Sequence, residues 1–525
     1  MTPTRTRRRS DESRRGIILL FIGLIVALLL AALSQTVLSA AMPTMVGELH
    51  GVDQMLWVMT AFMLASTITM PIYGKVSDLV GRKGPLVASI LLFMAGSIVG
   101  ALAPDIGWLI AGRAVQGMGA GGLIILTKTI IADVVPARER GKYIGVMGAV
   151  FAVSSIAGPL LGGWITEEVG WRWTFWMNVP LGLIALVAAI TLLHLPRRST
   201  ARTALDIGGM LTLGGATACL VLLASWAGGE FAWTSPVIIG LGIGMAVLTG
   251  LCAFIERRAA EPILPPRLLR DRNFALTTAA GLLLGVTMFG VISYIPTVLQ
   301  LSFGADPTLA GLITTPMMGA MLVGSLGSGW LISAYGRYKW MPIAGSVVVA
   351  LALLMLGLMS PATPLWLVAF ELGLFGLGLG MSTQLLLLVV QNSVPAQIVG
   401  TATAGSNFFR QVGASLGSAV IGSIFTLRVT SIIGERVPES DAALIGHINS
   451  LTPERLAQFP PALHAVVADG FNDALAPLLG GMVPLALLSA VLLCFVVEHP
   501  LKTTVEPAPE TAGGADLVAR DDARD

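Results

Sequence analysis

The sequence predicts an all-α integral membrane protein with 14 transmembrane helices, arranged as two six-helix repeats plus two inserted helices. Three observations support this prediction. Hydrophobic residues make up 55% of the chain and charged residues only 12%, against about 25% charged residues in an ordinary soluble domain. Uncharged stretches recur, each near the roughly 20 residues that cross a bilayer. Two sequence motifs also recur at nearly the same spacing in the two halves of the chain.

Apolar spans follow one another from the N-terminus to the C-terminal region. Short turns containing glycine and proline separate them, which favours a helical bundle over a β-barrel. The run at 16–42 is too long for the core of a signal peptide, so it is expected to be retained. The predicted spans are 16–42, 55–73, 85–103, 107–131, 144–165, 174–194, 207–227, 235–255, 274–300, 308–334, 340–359, 365–391, 402–426 and 475–497.

These spans divide the chain into five regions, the fourth of which includes an external loop at 428–473. The regions are a basic cytoplasmic tail at 1–15, a six-helix bundle at 16–194, inserted helices with cytoplasmic linkers at 195–273, a second six-helix bundle at 274–497, and a cytoplasmic tail at 498–525.

Positive charge is concentrated in alternate loops. Lysine and arginine mark the cytoplasmic side of membrane proteins, so these loops and both termini are predicted to lie in the cytoplasm, with the protein in the cell membrane. The loops facing the other side are mostly acidic. The basic loops carry Lys75, Arg82, Lys83, Arg138, Arg140, Lys142, Arg197, Arg198, Arg202, Arg257, Arg258, Arg267, Arg270, Arg272, Arg337 and Lys339.

Several classes of function are excluded at this point. The net charge of +2 suggests no nucleic-acid partner. Cys219, Cys252 and Cys494 lie in apolar stretches without metal-ligand spacing, so neither a disulfide nor a metal site is expected. No phosphate-binding Gly-x-x-x-x-Gly-Lys-Ser/Thr loop and no His-Glu-x-x-His motif occurs, so we expect neither an enzyme nor a cofactor. The chain is expected to act as a monomer.

One loop motif occurs twice. The first copy follows the second span, and a related sequence follows the tenth span 255 positions later, from Gly74 to Gly329. A separate match between Trp108 and Trp366 has an offset of 258. Two matches at nearly one offset indicate related halves, as in many transporters.

The loop motif predicts a latch between helices. Glycine permits tight turns and close helix approach, and Asp78 can accept hydrogen bonds from a helix N-terminus or from an arginine. Such a contact can hold the cytoplasmic side closed during a transport cycle. The alternative is a solvated basic loop that only sets topology. The candidate gating residues are Gly74, Asp78, Gly81, Arg82, Lys83, Gly336 and Arg337.

The loop resembles the Gly-x-x-x-Asp-x-x-Gly-Arg-Lys signature of the major facilitator superfamily. The segment Arg113 to Gly119, with Gln116 and Gly117, is similar to that family's helix 4 motif for proton coupling. Fourteen spans point to its drug:proton antiporter branch. A further stretch resembles the antiporter motif of this branch: Gly158, Pro159, Gly162 and Gly163.

The resemblance implies multidrug efflux, that is, export of small amphipathic or cationic compounds in exchange for protons, and hence antibiotic resistance. The implied partners are a small-molecule substrate, protons and the lipid bilayer. Two alternatives stay open, because a fold does not determine transport direction or substrate. They are an exporter of lipids or cell-envelope components, and a nutrient uniporter or importer.

One residue departs from the family pattern. The first helix of this branch often carries an acid where this chain has Ser34. Ionisable residues inside a span are functional by default, and the repeat alignment makes Arg113 and Glu371 equivalent. They are therefore predicted to face each other and to carry proton coupling. Asp133 is the next candidate, with a structural role favoured.

Candidate residues for the substrate cavity come from the spans expected to line it. Methionine offers a soft, adaptable surface there. They are Gln35, Met42, Phe62, Gln116, Tyr294, Met317, Gln384, Asn407 and Gln411.

The predicted orientation can be tested by cysteine labelling in intact cells. Ser10→Cys and Ala515→Cys should be protected from a membrane-impermeant maleimide, and Ile445→Cys should react, because the basic loops place both termini inside. Labelling of either terminus from outside would contradict the predicted topology.

Overall fold

The computed structural model describes residues 3–51, 54–193, 206–228, 230–437, 453–456 and 458–501. These residues are almost entirely helical. Within the described part, the only β-type pairing is an isolated bridge between Ala227 and Phe231. The predicted all-α class is confirmed.

The helices follow the chain from α1 to α18, with a single 3₁₀ turn at Ala396–Ile398 before α15. They are α1 (Pro3–Glu48), α2 (Met55–Val80), α3 (Lys83–Ala101), α4 (Ile106–Val134), α5 (Ala137–Glu168), α6 (Trp173–Trp176), α7 (Asn178–Leu192), α8 (Ile207–Trp226), α9 (Pro236–Glu256), α10 (Pro266–Arg270), α11 (Arg272–Leu301), α12 (Pro307–Tyr335), α13 (Trp340–Leu356), α14 (Leu365–Ser393), α15 (Val399–Arg436), α16 (Pro453–Leu456), α17 (Pro461–Gly481) and α18 (Val483–Cys494).

In the described part, 13 helical segments are long and apolar enough to cross a membrane. Two of these segments each consist of two consecutive helices, α6 with α7 and α17 with α18. The remaining predicted span is α13, an apolar helix of 17 residues. That length lies at the lower end of the range for a transmembrane helix, so α13 completes the predicted fourteen.

Some predicted boundaries are wrong. The last span starts at Pro461 rather than 475, and α15 continues to Arg436, so the predicted external loop 428–473 is shorter at both ends. Leu463, Val467 and Phe471 are buried at helical spacing, and their packing extends the helix. The middle of that loop lies outside the described residues.

The N-terminal segment is helical, and the predicted C-terminal tail lies almost wholly outside the described part. The backbone of α1 is helical from Pro3, so residues 3–15 extend the first helix ahead of the apolar span that begins at Ile18. No proline or glycine interrupts residues 4–15, so nothing in the sequence breaks the helix there. The linker residues 194–205 and the tail residues 502–525 are not among those described.

Close glycine contacts reveal the repeat directly. Gly117 of α4 packs on the Phe62 carbonyl of α2, as Gly376 of α14 packs on the Met317 carbonyl of α12. Phe62 and Met317 are 255 positions apart, whereas Gly117 and Gly376 are 259 apart. A second pair of contacts repeats both offsets: Gly121 on Ser66, and Gly380 on Met321.

This register corrects the alignment made from sequence. With an offset of 259, Glu371 corresponds to Gly112, and Arg113 corresponds to Leu372. One residue turns an α-helix by about 100°. Arg113 and Glu371 therefore point in different directions from equivalent helices. A match between two tryptophans at the helix starts could not detect the single extra residue.

The two halves meet mainly along two helix crossings, α2 with α15 and α5 with α12, with smaller contacts of α4 with α15 and of α5 with α14. The inserted pair lies beside the first crossing: α8 packs against both α2 and α15, and α9 packs against α8. Only 11% of the apolar window of α9 is buried in the protein. Its other residues are therefore available to face lipid.

The glycine contacts predict a difference in stability between two matched substitutions. Gly376→Ala should lower the unfolding temperature in detergent by several degrees, because a Cβ would press on the Met317 carbonyl and overpacking costs about 1–3 kcal/mol. Gly319→Ala on α12 should not, because nothing lies within 4 Å of its Cβ position. Equal unfolding temperatures for the two variants would contradict the packing described.

Candidate functional site

Asp78 joins the end of α2 to the start of α15. Its carboxylate accepts hydrogen bonds from the backbone N–H groups of Gly400 at 3.0 Å and Thr401 at 2.6 Å, and from the Thr401 hydroxyl at 2.8 Å. The first N–H groups of a helix lack partners within the helix and carry partial positive charge. A buried carboxylate at this point therefore links the first half of the chain to the second.

Arg82 extends this link to α4. Its guanidinium lies 2.7 Å from Asp78 and 2.8 Å from Asp133, and it donates to the Ser77 hydroxyl at 2.6 Å. Burial works against the charged form, but the two carboxylates outweigh it, so the pKa of Arg82 is raised above its ordinary value. We call Asp78, Arg82 and Asp133, with the N-terminus of α15, the Asp78 latch.

Glycines bring the latch helices together. A Cβ at Gly400 would lie 2.7 Å from both the Gly74 carbonyl oxygen and the Asp78 carboxylate, so only glycine fits this crossing. Gly81 has φ +92°, a conformation that favours glycine and turns the chain from α2 into α3.

Two lysines of the motif contact other elements. The Nζ of Lys75 lies 2.6 Å from the Glu261 carboxylate, in the segment that leads from the inserted pair to α10. Lys83 donates to the Ile190 carbonyl of α7 at 2.6 Å. The motif therefore contacts the second half, the inserted pair and α7.

The second copy of the motif lacks the carboxylate. Ser333 stands where Asp78 stands in the first copy, and its carbonyl accepts a hydrogen bond from Arg138 of α5 at 3.4 Å. Gly336 has φ +75° and ends α12, while Arg337 is exposed. Gly329 packs on the backbone of Gly141 across the crossing.

A second polar layer joins the halves next to the latch. Lys128 of α4 donates to the Asn407 side chain of α15 at 2.9 Å. Gln391 of α14 donates to the Lys128 carbonyl at 3.3 Å and to the Thr403 hydroxyl at 3.2 Å. All of these residues are buried. Asn407, predicted to line a substrate cavity, instead belongs to the contact between halves.

Arg113 lies wholly inside the first half. It is 0% exposed, donates to Gln116 at 2.6 Å and to the Val58 carbonyl at 3.4 Å, and stacks 4.1 Å from the Phe62 ring centre. Gln116 in turn donates to Ser34 at 3.0 Å. Phe62 and Gln116, predicted to line the cavity, are thus neighbours of Arg113 in a buried cluster.

Glu371 is separate from this cluster. Its side chain is 3% exposed, and one carboxyl oxygen has no hydrogen-bond partner. No ion pair in the described part of the chain joins it to Arg113. The predicted pair is therefore not formed in this structure, in agreement with the one-residue difference in repeat register.

The glycines of the antiporter motif divide into two sets. Gly158 packs against Thr36 and Gly162 against the Val37 carbonyl, which seats α5 on α1. Thr36 also donates to the Ser154 carbonyl at 2.8 Å. Gly163 has open space where a Cβ would lie, and Pro159 is exposed. Gly158 and Gly162 therefore provide the close packing predicted from this motif.

A cavity of about 640 Å³ lies between α2, α8, α11 and α15. None of its described lining side chains is charged. It lies away from the latch, near the start of α2 and in the later parts of α8, α11 and α15. The lining residues are Leu56, Met59, Thr60, Met63, Val221, Ala224, Ser225, Ala227, Gly228, Phe289, Ser293, Tyr294, Ala414, Ser415, Ser418, Ala419, Gly422, Ser423 and Thr426.

Of the predicted cavity residues, Tyr294 lines this pocket, with its hydroxyl donating to the Ser418 carbonyl at 2.9 Å. Met42 and Met317 are 1% and 4% exposed and belong to the core. Gln35, Gln384 and Gln411 are partly exposed and do not line it.

Sequence reasoning missed a signal for this pocket, which is a stripe of small residues at helical spacing on α15. Its members are Ser415, Ser418, Gly422 and Thr426.

Comparison with known proteins gives consistent results. The model of the Major Facilitator Superfamily matches residues 24–418. An uncharacterised MFS-type transporter of Mycobacterium tuberculosis is 36% identical over 95% of this chain and 72% of its own length. The multidrug transporter protein MdtP of Bacillus subtilis is 33% identical over 90% of this chain and 89% of its own.

A solved structure shares the fold. The human organic anion transporter MFSD10 superposes with a TM-score of 0.61 at 16% identity, over 90% of this chain and 99% of that one.

The latch geometry predicts the effect of Asp78→Asn. The variant should insert normally but transport more slowly, because it loses the ion pair with Arg82 and the charge that strengthens its hydrogen bonds to α15. A cysteine replacing Ile125, which is buried beside Met70 and Ala404 between the halves, should react with a maleimide about tenfold faster. Such a change corresponds to about 1.4 kcal/mol.

Asp271→Asn is the matched control. Asp271 caps the start of α11, a role that asparagine fills equally well, so the cysteine at position 125 should react at the rate measured in the Ile125→Cys chain alone. Unchanged labelling and transport in Asp78→Asn would reduce the motif to a determinant of topology.

Proposed function

Because this chain belongs to the major facilitator superfamily, and is therefore a membrane transporter of small molecules rather than an enzyme, we propose that it is a multidrug exporter. In this proposal it exports small amphipathic or cationic compounds across the cell membrane in exchange for protons. It rests on the arrangement of the two halves and of the cavity between them.

The observation that supports this proposal most strongly is that the described polar contacts between the two halves all lie on one side of the cavity. The described hydrogen bonds that join the two halves lie at the Asp78 latch, at Arg138 and Ser333, at Gly145 and Ser325, and around Lys128. The cavity lies on the other side of this layer. Transporters of this kind expose a site between two repeats to each side in turn, and a breakable ionic latch suits such a cycle.

The orientation of the chain in the membrane decides which side of the bundle is closed. The latch lies among the basic loops that carry Lys75, Arg82 and Lys83, whereas the acidic residues Asp105 and Asp306 lie at the opposite ends of their helices. With positive charge inside, we take the latched arrangement to be a state closed toward the cytoplasm. Both termini are then cytoplasmic.

The direction and type of substrate draw support from relatives. MdtP of Bacillus subtilis is named a multidrug transporter protein, and a second relative from that organism, 31% identical over 92% of this chain, is named multidrug resistance protein 3. The glycine contacts between α1 and α5 involve the motif typical of antiporters. A cavity lined by two methionines, two aromatic rings and eight hydroxyl-bearing side chains suits amphipathic compounds.

Proton exchange needs a titratable group inside the bundle. Ser34 occupies the usual acidic position in α1. Its hydroxyl donates and accepts hydrogen bonds but does not titrate, so the group that carries the proton has to lie elsewhere. Glu371 is buried within a span and has a carboxyl oxygen without a partner, and buried ionisable groups in membranes are functional by default. Asp133 is held by Arg82 in the latch, which suits a structural part.

Glu371→Gln tests this assignment. The substitution keeps size and hydrogen bonding but removes the titratable proton, so export driven by a pH gradient should be lost while substrate binding is retained. The measurement is substrate-evoked proton flux in proteoliposomes.

Glu168→Gln, an exposed position at the end of α5, is the control and should keep the flux of the unsubstituted protein. Flux at the original stoichiometry in Glu371→Gln would refute the role of Glu371 and direct attention to Asp133.

A further inference from the structure

The cavity between α2, α8, α11 and α15 has a wall from outside the two repeats. Its lining residues come from α2 in the first half, from α11 and α15 in the second, and from α8 of the inserted pair. On the α8 side these include Val221, Ala224 and Ser225. The inserted pair therefore completes a pocket at the junction of the two repeats.

We propose that this pocket binds uncharged amphipathic molecules with a flat apolar ring system, and that α8 is part of the binding surface. The proposal deepens the proposed export function and rests on it for the physiological role of the site. It commits to neutral compounds within the broader class of amphipathic and cationic ones.

The lining chemistry favours a neutral ligand. Met59, Met63 and Phe289 supply flexible and aromatic apolar surface. Hydroxyl groups such as those of Ser293 and Ser415 can donate or accept as the ligand requires. No carboxylate faces the pocket among its described lining residues, so a cation leaving water would meet no opposite charge there. Unpaired charge is costly to bury.

The α8 wall is held in place by aromatic and backbone contacts. Trp226 packs edge-on against Trp57 of α2, with ring centres 5.3 Å apart. The chain then turns at Gly228, with φ +79° and its N–H bonded to the Phe231 carbonyl at 2.9 Å. A Cβ at Gly228 would lie 3.1 Å from the Ser423 hydroxyl, so the turn lies against α15. The wall is thereby anchored to both halves.

The mouth of the pocket adjoins apolar surface. Leu56 lines the pocket and is 51% exposed, and the neighbouring Met55 is 40% exposed. This edge of the pocket is therefore apolar, which suits an uncharged amphipathic ligand better than a charged one.

Binding to purified protein tests the proposal without any gradient. The probes are tritiated progesterone, which is neutral, and tritiated tetraphenylphosphonium, which is a cation, both measured by scintillation proximity in detergent. Progesterone should bind at least about tenfold more tightly. Ala224→Trp should weaken progesterone binding by at least about tenfold, whereas Leu211→Trp, 72% exposed on the same helix, should leave it unchanged.

Cysteine labelling gives a second measurement of binding, which still tests the proposal if Ala224→Trp misfolds. In a chain whose three cysteines are replaced by alanine, Ser225→Cys should react with N-ethylmaleimide and be protected by progesterone. Leu211→Cys should react without protection. Equal or tighter binding of the cation, or absence of protection at position 225, would overturn the proposal.

The two proposals fail in different ways. Progesterone binding and protection in a protein without proton-coupled export would reject the transport mechanism and keep the pocket. Proton-coupled export with no protection at Ser225→Cys would keep the function and reject the pocket.

Discussion

The carboxylate of Asp78 at the N-terminus of α15 is the contact on which the closed side of the molecule depends. In a membrane, backbone groups are already paired within their helices, so few polar groups are left to hold two bundles together. Asp78 uses the unpaired N–H groups of a helix start for this purpose. Arg82 and Asp133 then tie the same carboxylate to α4, and the glycine crossing brings the partners into reach.

The two repeats share packing but not charge. Glycine contacts between α2 and α4 recur between α12 and α14, yet Ser333 replaces the carboxylate of the first copy. A symmetric pair of ionic latches would make both crossings equally hard to separate. With one ionic crossing and one held by carbonyl contacts, the two crossings differ in the interactions that have to break before they separate.

Sequence reasoning predicted what depends on composition and local pattern. The apolar spans and the partners of Asp78 follow from hydropathy and from the chemistry of a carboxylate near a helix start. It failed where the result depends on which residues of two packed helices face each other. The tryptophan match, at an offset of 258, differs by one residue from the packing register of 259, so Glu371 does not face Arg113. The predicted cavity residues Phe62 and Gln116 proved to be neighbours of a buried arginine. The pocket was missed because α8 belongs to neither repeat.

The shortness of α13 has a consequence for the surrounding lipid. Its 17 residues rise about 25 Å, less than the roughly 30 Å of a typical hydrocarbon core. Val347, Leu351 and Leu354 on this helix are exposed and are available to contact acyl chains. A span this short is accommodated by local thinning of the bilayer, by flanking side chains that reach toward the interface, or by association with other helices, each at a modest cost in free energy. The thickness of the host membrane is therefore a variable in the energetics of this protein.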